Sequence, residues 1–162
     1  MSKIIKLSKN DWKRIGLEMG FFKKANDDND DKYFSAIEAV ERNSNATPEV
    51  LMEALEHDSD NVRRLAAGHR NATPEVLLKA LEDINPFICE IAAAHSNATH
   101  EILMVALEFH RHSDVNKAAA GNRKATPEVL MKALENRSPS VREAAAWNES
   151  ATPEVLMRAL AL

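Results

Sequence analysis

The sequence predicts an all-α fold, an α-solenoid of small two-helix units, and three observations carry that prediction. Thr-Pro steps begin at Thr47, Thr73, Thr126 and Thr152, and Thr99-His100 completes a series spaced 26, 26, 27 and 26 residues apart. A period of that size marks stacked supersecondary units rather than one globule. Each copy carries two apolar runs at helical spacing. With 44% hydrophobic residues and only four glycines in 162, the composition suits a core made of many thin layers.

Taken in order, the first element is a helix opened by Ser8-Lys9-Asn10-Asp11, a capping box that precedes Trp12, Ile15, Met19 and Phe22 on one face. It is expected to run to about Lys24 and to cover the first unit, because the end layer of a stack exposes apolar surface. Residues 1–25 carry net charge +5 and residues 26–162 carry −9. A second use of the head is therefore open, with Lys3, Lys6, Lys9, Lys13, Arg14, Lys23 and Lys24 as a phosphate-binding or membrane-surface patch and Trp12 and Phe22 as its aromatics. An acidic run follows. Asp27, Asn29 and Asp31 stand at positions 1, 3 and 5 of a calcium-loop pattern and Glu38 at position 12, but Lys32 replaces the glycine that the turn at position 6 needs. A solvated linker is the preferred reading there. The expected division is 1–32 for the basic helix and linker and 33–162 for the repeats: a half copy with Ala36, Ala39 and Val40 inward, four copies, and a lone last helix.

The first helix of each copy starts at its Thr-Pro step. Thr47 is the N-cap, Pro48 loses nothing at the first helical position, and Glu49 complements the helix dipole. Val50, Leu51, Ala54 and Leu55 form one stripe, repeated as Val76, Leu77, Ala80, Leu81 and as Ile102, Leu103, Ala106, Leu107. The second helix starts after Ser59, Asn85 and Ser138, ahead of Val62, Ile88 and Val141, and then narrows to alanine runs such as Ala118-Ala119-Ala120 that let short helices pack closely. Asn71 and Asn97 suit left-handed turn positions between copies.

The recurring Asn-x-Thr-Pro-Glu-Val-Leu, with Val62-Arg63 and Val141-Arg142 ahead of small-residue runs, resembles the leucine-rich repeat variant, a HEAT-like helical repeat, over about residues 33–162. That resemblance implies a right-handed solenoid and a structural or binding role. One member type carries an iron–sulfur cluster on an added cysteine-rich segment, which a chain with the single Cys89 does not match.

No catalytic pattern is present in the sequence: it contains no glycine-rich phosphate loop, no His-Glu-x-x-His and no Gly-x-Ser-x-Gly, and Cys89 has no histidine placed to activate it. The chain is expected not to be an enzyme, to need no cofactor and to hold no metal. His110 and His112, and the equivalent His69 and His95, invite a metal reading, but the latter series continues as Asn122 and Asn148, which suits capping of the second helix. A helper enzyme handling a bilin or a metal rests on fold analogy alone. Without a signal peptide or a membrane span, a cytoplasmic location is expected.

Function is therefore expected on columns that vary between copies, since constant columns serve packing. These are Arg63, Cys89, Asn116 and Arg142; Arg64, Glu90, Lys117 and Glu143; and Arg70, Ser96, Arg123 and Glu149. On this view Arg63 is dispensable for stability. Trp147 stands where the other copies have Gly68, Ala94 and Gly121, as an interface anchor or as a plug for the end of the stack. The expected partner is a protein laid along the second helices. The alternative is nucleic acid, gripped by the basic head with Arg63, Arg64, Arg70, Lys117, Arg123 and Arg142, although Glu90, Glu143 and Glu149 interrupt those columns. A two-fold homodimer through Val155, Leu156, Ala159, Leu160 and Leu162 is expected to cover the last helix, unless Trp147 folds over it.

Overall fold

Residues 45–109 and 112–161 are described in the computed structural model, and the chain divides into two compact units, Met1–Asn45 and Ala46–Leu162. The basic head, the half copy at 33–43 and the calcium candidates Asp27, Asn29, Asp31 and Glu38 lie outside the described residues.

Among the described residues the structure is helical throughout and has no strand. The helices of the second unit are α1 Pro48–Ala54, α2 Asp60–Ala67, α3 Pro74–Ala80, α4 Pro86–Ala94, α5 His100–Phe109, α6 Ser113–Gly121, α7 Pro127–Leu134, α8 Pro139–Ala146 and α9 Pro153–Leu160. Their starts follow local chemistry. The hydroxyls of Thr47, Thr126 and Thr152 accept from the amides of Val50, Val129 and Val155 at 3.4–3.5 Å, and proline opens the helix behind each. Where His100 replaces proline, the ring bridges forward to the next copy, with Nδ1 3.0 Å from Thr126 Oγ1 and Nε2 3.6 Å from Glu128. The extra residue of the 27-residue spacing falls between Thr99 and the cap of α6 at His112, and α5 is correspondingly the longest of the described helices.

Helix contacts are strictly near-neighbour. Each helix packs on the next in the chain, and each also packs on the helix two places along, so the odd-numbered helices form one series and the even-numbered helices another. The buried face of the odd series is Leu51, Leu77, Leu103 and Leu130 with Val76, Ile102 and Val129; that of the even series is Val62, Ile88, Val115 and Val141 over the paired alanines Ala66-Ala67, Ala92-Ala93 and Ala119-Ala120. Backbones in the even series approach more closely, as methyl side chains allow.

Helices this short have most of their polar backbone in unsatisfied end turns, so the turns decide whether they hold. His69, His95, Asn122 and Asn148 solve this at the end of each even helix. Each accepts an amide from two residues on, at Asn71, Asn97, Lys124 and Ser150, at 2.8–3.1 Å. In the last three the opposite atom donates to the preceding copy: His95 Nε2 to His69 O at 3.1 Å, Asn122 Nδ2 to Ala93 O and His95 O at 2.8 and 3.1 Å, and Asn148 Nδ2 to Ala120 O and Asn122 O at 2.8 and 2.9 Å; His69 Nε2 is buried without a hydrogen-bond partner among the described residues. These residues cap a helix end, but it is the end of the previous copy's helix. Asn71 and Asn97 add to the stitching, donating to Ala46 O at 3.0 Å and Ala72 O at 2.9 Å. Imidazole and carboxamide are interchangeable here because each offers one acceptor and one donor on opposite sides.

His95 must be neutral to do this, since its Nδ1 accepts the Asn97 amide and only Nε2 carries a proton. Burial accordingly pushes its pKa below the ordinary 6.5. As pH falls, the unfolded chain takes up the proton before the folded one does, so stability declines below about pH 6.5 and levels off beneath the folded value. His95→Asn should keep both hydrogen bonds and flatten that part of the profile, as read by urea midpoints between pH 7 and pH 5; an unchanged profile would remove His95 as its source.

Candidate interaction surface

In the column of Arg63, Cys89, Asn116 and Arg142, the first three side chains are turned inward rather than toward a partner. These positions lie near the start of each even helix, where side chains meet the turn from the preceding odd helix and its orphan carbonyls. Arg63 Nη1 donates to His57 O and Asp58 O at 2.9 and 3.1 Å, and Arg142 Nη1 donates to Asn136 O and Arg137 O at 2.9 and 3.0 Å. The Cys89 thiol sits 3.2 Å from Asp83 O and 3.4 Å from Leu81 O, and burial pushes its pKa up to about 11, so it is an inert donor rather than a nucleophile. Asn116 is buried, its Oδ1 without a partner among the described residues. The partner-facing expectation is thus corrected for Arg63, Cys89 and Asn116, and Arg142 is half-buried.

Arg63 also holds two copies together. Its Nε and Nη2 reach Asp83 Oδ2 and Oδ1 at 2.7 and 3.3 Å, and Nη2 pairs with Asp60, whose other oxygen accepts from Asn85 Nδ2 at 2.8 Å. The Arg63 and Asp83 side chains are only 11% and 6% exposed. Donation to the Asp83 carboxylate raises the Arg63 pKa, and the hydrogen bond from Asn85 lowers the Asp60 pKa.

The remaining columns do reach the surface. Arg64, Arg70, Lys117, Arg123, Glu143, Ser96 and Glu149 are exposed and Glu90 is half-buried. Between them runs the small column of Gly68, Ala94 and Gly121, also exposed, and a β-carbon on Gly121 would meet nothing within 4 Å. Packing does not require that bareness. Trp147 ends the column at 82% exposure. It plugs nothing and lies over no helix, because at the C-cap of α8 its side chain leaves the packed face. Of the residues assigned to a dimer contact, Val155 is fully buried within the chain, Leu156 and Leu160 are exposed together with Met157, Ala159 is half-buried, and Leu162 lies outside the described residues.

Besides Met157 on α9, two exposed apolar residues among the described residues escaped the sequence reading. Ile84 is 93% exposed and Phe87 53%. Both stand in polar columns, opposite Asp58 and Arg137 and opposite Asn61, Asp114 and Ser140, so comparison of copies along the turns would have found them.

Among the described residues no group of three His, Cys, Asp or Glu is placed to hold a metal ion, and no helix is long and apolar enough to cross a membrane. His110 lies outside the described residues, and His112 is the exposed N-cap of α6. Comparison with protein-family models, with curated proteins and with solved structures finds no match.

Removing Arg63 takes the guanidinium from the buried Asp83 carboxylate, which is left with the Asn85 amide at 2.8 Å, and breaks the bonds to two turn carbonyls, so Arg63→Ala should cost about 3 kcal/mol. Leu134→Ala, a core truncation, should cost roughly 2–5 kcal/mol. Urea unfolding that finds Arg63→Ala near neutral would show that the inter-copy ion pair contributes nothing.

Proposed function

We propose that the chain is a right-handed α-solenoid, similar to leucine-rich repeat variant proteins, that acts without catalysis by binding a protein along the exposed edge of its even-numbered helices. The observation that carries this reading is Trp147, a large aromatic 82% exposed at the end of an otherwise bare column. Burial of a tryptophan is among the largest single gains a protein interface can make. Alternating charge supports a polypeptide partner: Arg64 and Arg70, then Glu90, then Lys117 and Arg123, then Glu143 and Glu149. A nucleic acid would meet acids in two of the four copies, and Arg63 is committed to Asp60 and Asp83.

Affinity capture should recover a discrete protein with the wild-type chain, and lose it with Trp147→Ala and with Lys117→Glu/Arg123→Glu at unchanged circular dichroism. Retention by both variants would sink this reading. Recovery of duplex DNA in a salt-resistant complex would instead favour the nucleic-acid alternative.

A second copy of the chain is the proposed cover for the apolar face of α9, where Leu156, Met157 and Leu160 are exposed near Trp147 in sequence. Light scattering should show a dimer that becomes monomeric in Leu156→Glu/Leu160→Glu; a wild type that is monomeric at high concentration rules the dimer out.

A further inference from the structure

Two grooves of similar size, about 400 and 380 Å3, open at corresponding turns of the first and fourth copies. The first is lined by Glu56, Arg63, Lys79, Glu82 and Asp83 among others, the second by Leu134, Glu135, Asn136, Arg142 and Arg158. Both basic positions are kept, Arg63 as Arg142 and Lys79 as Arg158, but of the four acids that answer them only Glu56 is kept, as Glu135. Asp60 becomes Pro139, Glu82 becomes Ala161 and Asp83 becomes Leu162.

The consequence is visible in the bonding. In the first groove the Nε–Nη2 edge of Arg63 holds the Asp83 carboxylate with two hydrogen bonds, and Lys79 Nζ lies 3.2 Å from both Glu56 and Glu82. In the second, Arg142 is anchored by the same Nη1 bonds to turn carbonyls, so its guanidinium is held, but its Nε and Nη2 have no partner among the described residues. Arg158 forms no ion pair among the described residues, and Glu135 is engaged by Lys132 at 3.3 Å.

We propose that this second groove is a carboxylate-binding site, in which the Nε–Nη2 edge of Arg142 takes a carboxylate in the role Asp83 fills in the first copy and Arg158 supplies a second positive charge. The planar, two-oxygen match to a guanidinium edge selects carboxylate, and the ligand is an Asp or Glu side chain of a partner polypeptide. The site lies at the start of α8, not along the exposed edge that ends at Trp147, so it stands or falls separately from the reading above.

The test follows the arginine Nε–H resonances by NMR while a capped tetraglutamate peptide is added at constant ionic strength, with the matching glutamine peptide and inorganic phosphate as separate arms. The Arg142 and Arg158 signals should shift and saturate with tetraglutamate only. Arg142→Gln should weaken binding about tenfold or more, as should Ala161→Glu, which restores an acid of the first groove while leaving both arginines in place. The proposal is overturned if these signals do not move, if exposed Arg64 moves in parallel with them, if Ala161→Glu binds like wild type, or if phosphate saturates the site and tetraglutamate does not.

Discussion

One polar side chain at the end of each of α4, α6 and α8, bonded forward to its own turn and backward to the preceding copy, is the constraint on which the described structure depends. Buried backbone groups must be paired, and short helices leave most of theirs in end turns. His95, Asn122 and Asn148 pair those groups across copies, so the reach of a single side chain sets the distance between successive layers. The four residues from ladder position to capping threonine do not vary: His69 to Thr73, His95 to Thr99, Asn122 to Thr126, Asn148 to Thr152. The one extra residue falls between Thr99 and His112, in the stretch of α5 and the other turn, where no ladder would be broken.

That other turn is looser in chemistry and equally demanding in physics. Its carbonyls also need donors, and different side chains supply them, a guanidinium at Arg63 and Arg142 and a thiol at Cys89. Arg63 then recruits the acids Asp60 and Asp83, so an apparently free column becomes a link between copies. A position can therefore vary because several side chains perform one structural task, and variation between copies marks freedom only where the side chain is also exposed.

Exposure separates the two cases. Lys117 and Glu143 lie beyond the packed stripe of their helices and Arg123 just past the end of α6, and all three meet solvent, whereas Asn116 and Cys89, one position earlier than Lys117 and Glu90, are buried. Successive helical residues are rotated by about 100°, which is enough to move a side chain from the inter-copy core to the open edge. Trp147 is the extreme instance: it follows the alanines of α8 directly and yet has almost no protein around it.

Sequence by itself determined the helical class, the spacing of the copies, the Thr-Pro helix starts and the buried stripe, because each rests on local signals: a capping hydroxyl, a proline without an amide, and apolar residues every three to four positions. It also singled out the His69, His95, Asn122 and Asn148 column as capping residues. Only the tertiary structure decided which helix they cap, that Arg63 and Cys89 serve a turn, and that Trp147 and Ile84 stand in the open. Those outcomes depend on partners about 26 residues away, or on the lack of any neighbour, and the direction in which a side chain finds its partner is set by the packing of layers rather than by the residues beside it in the chain.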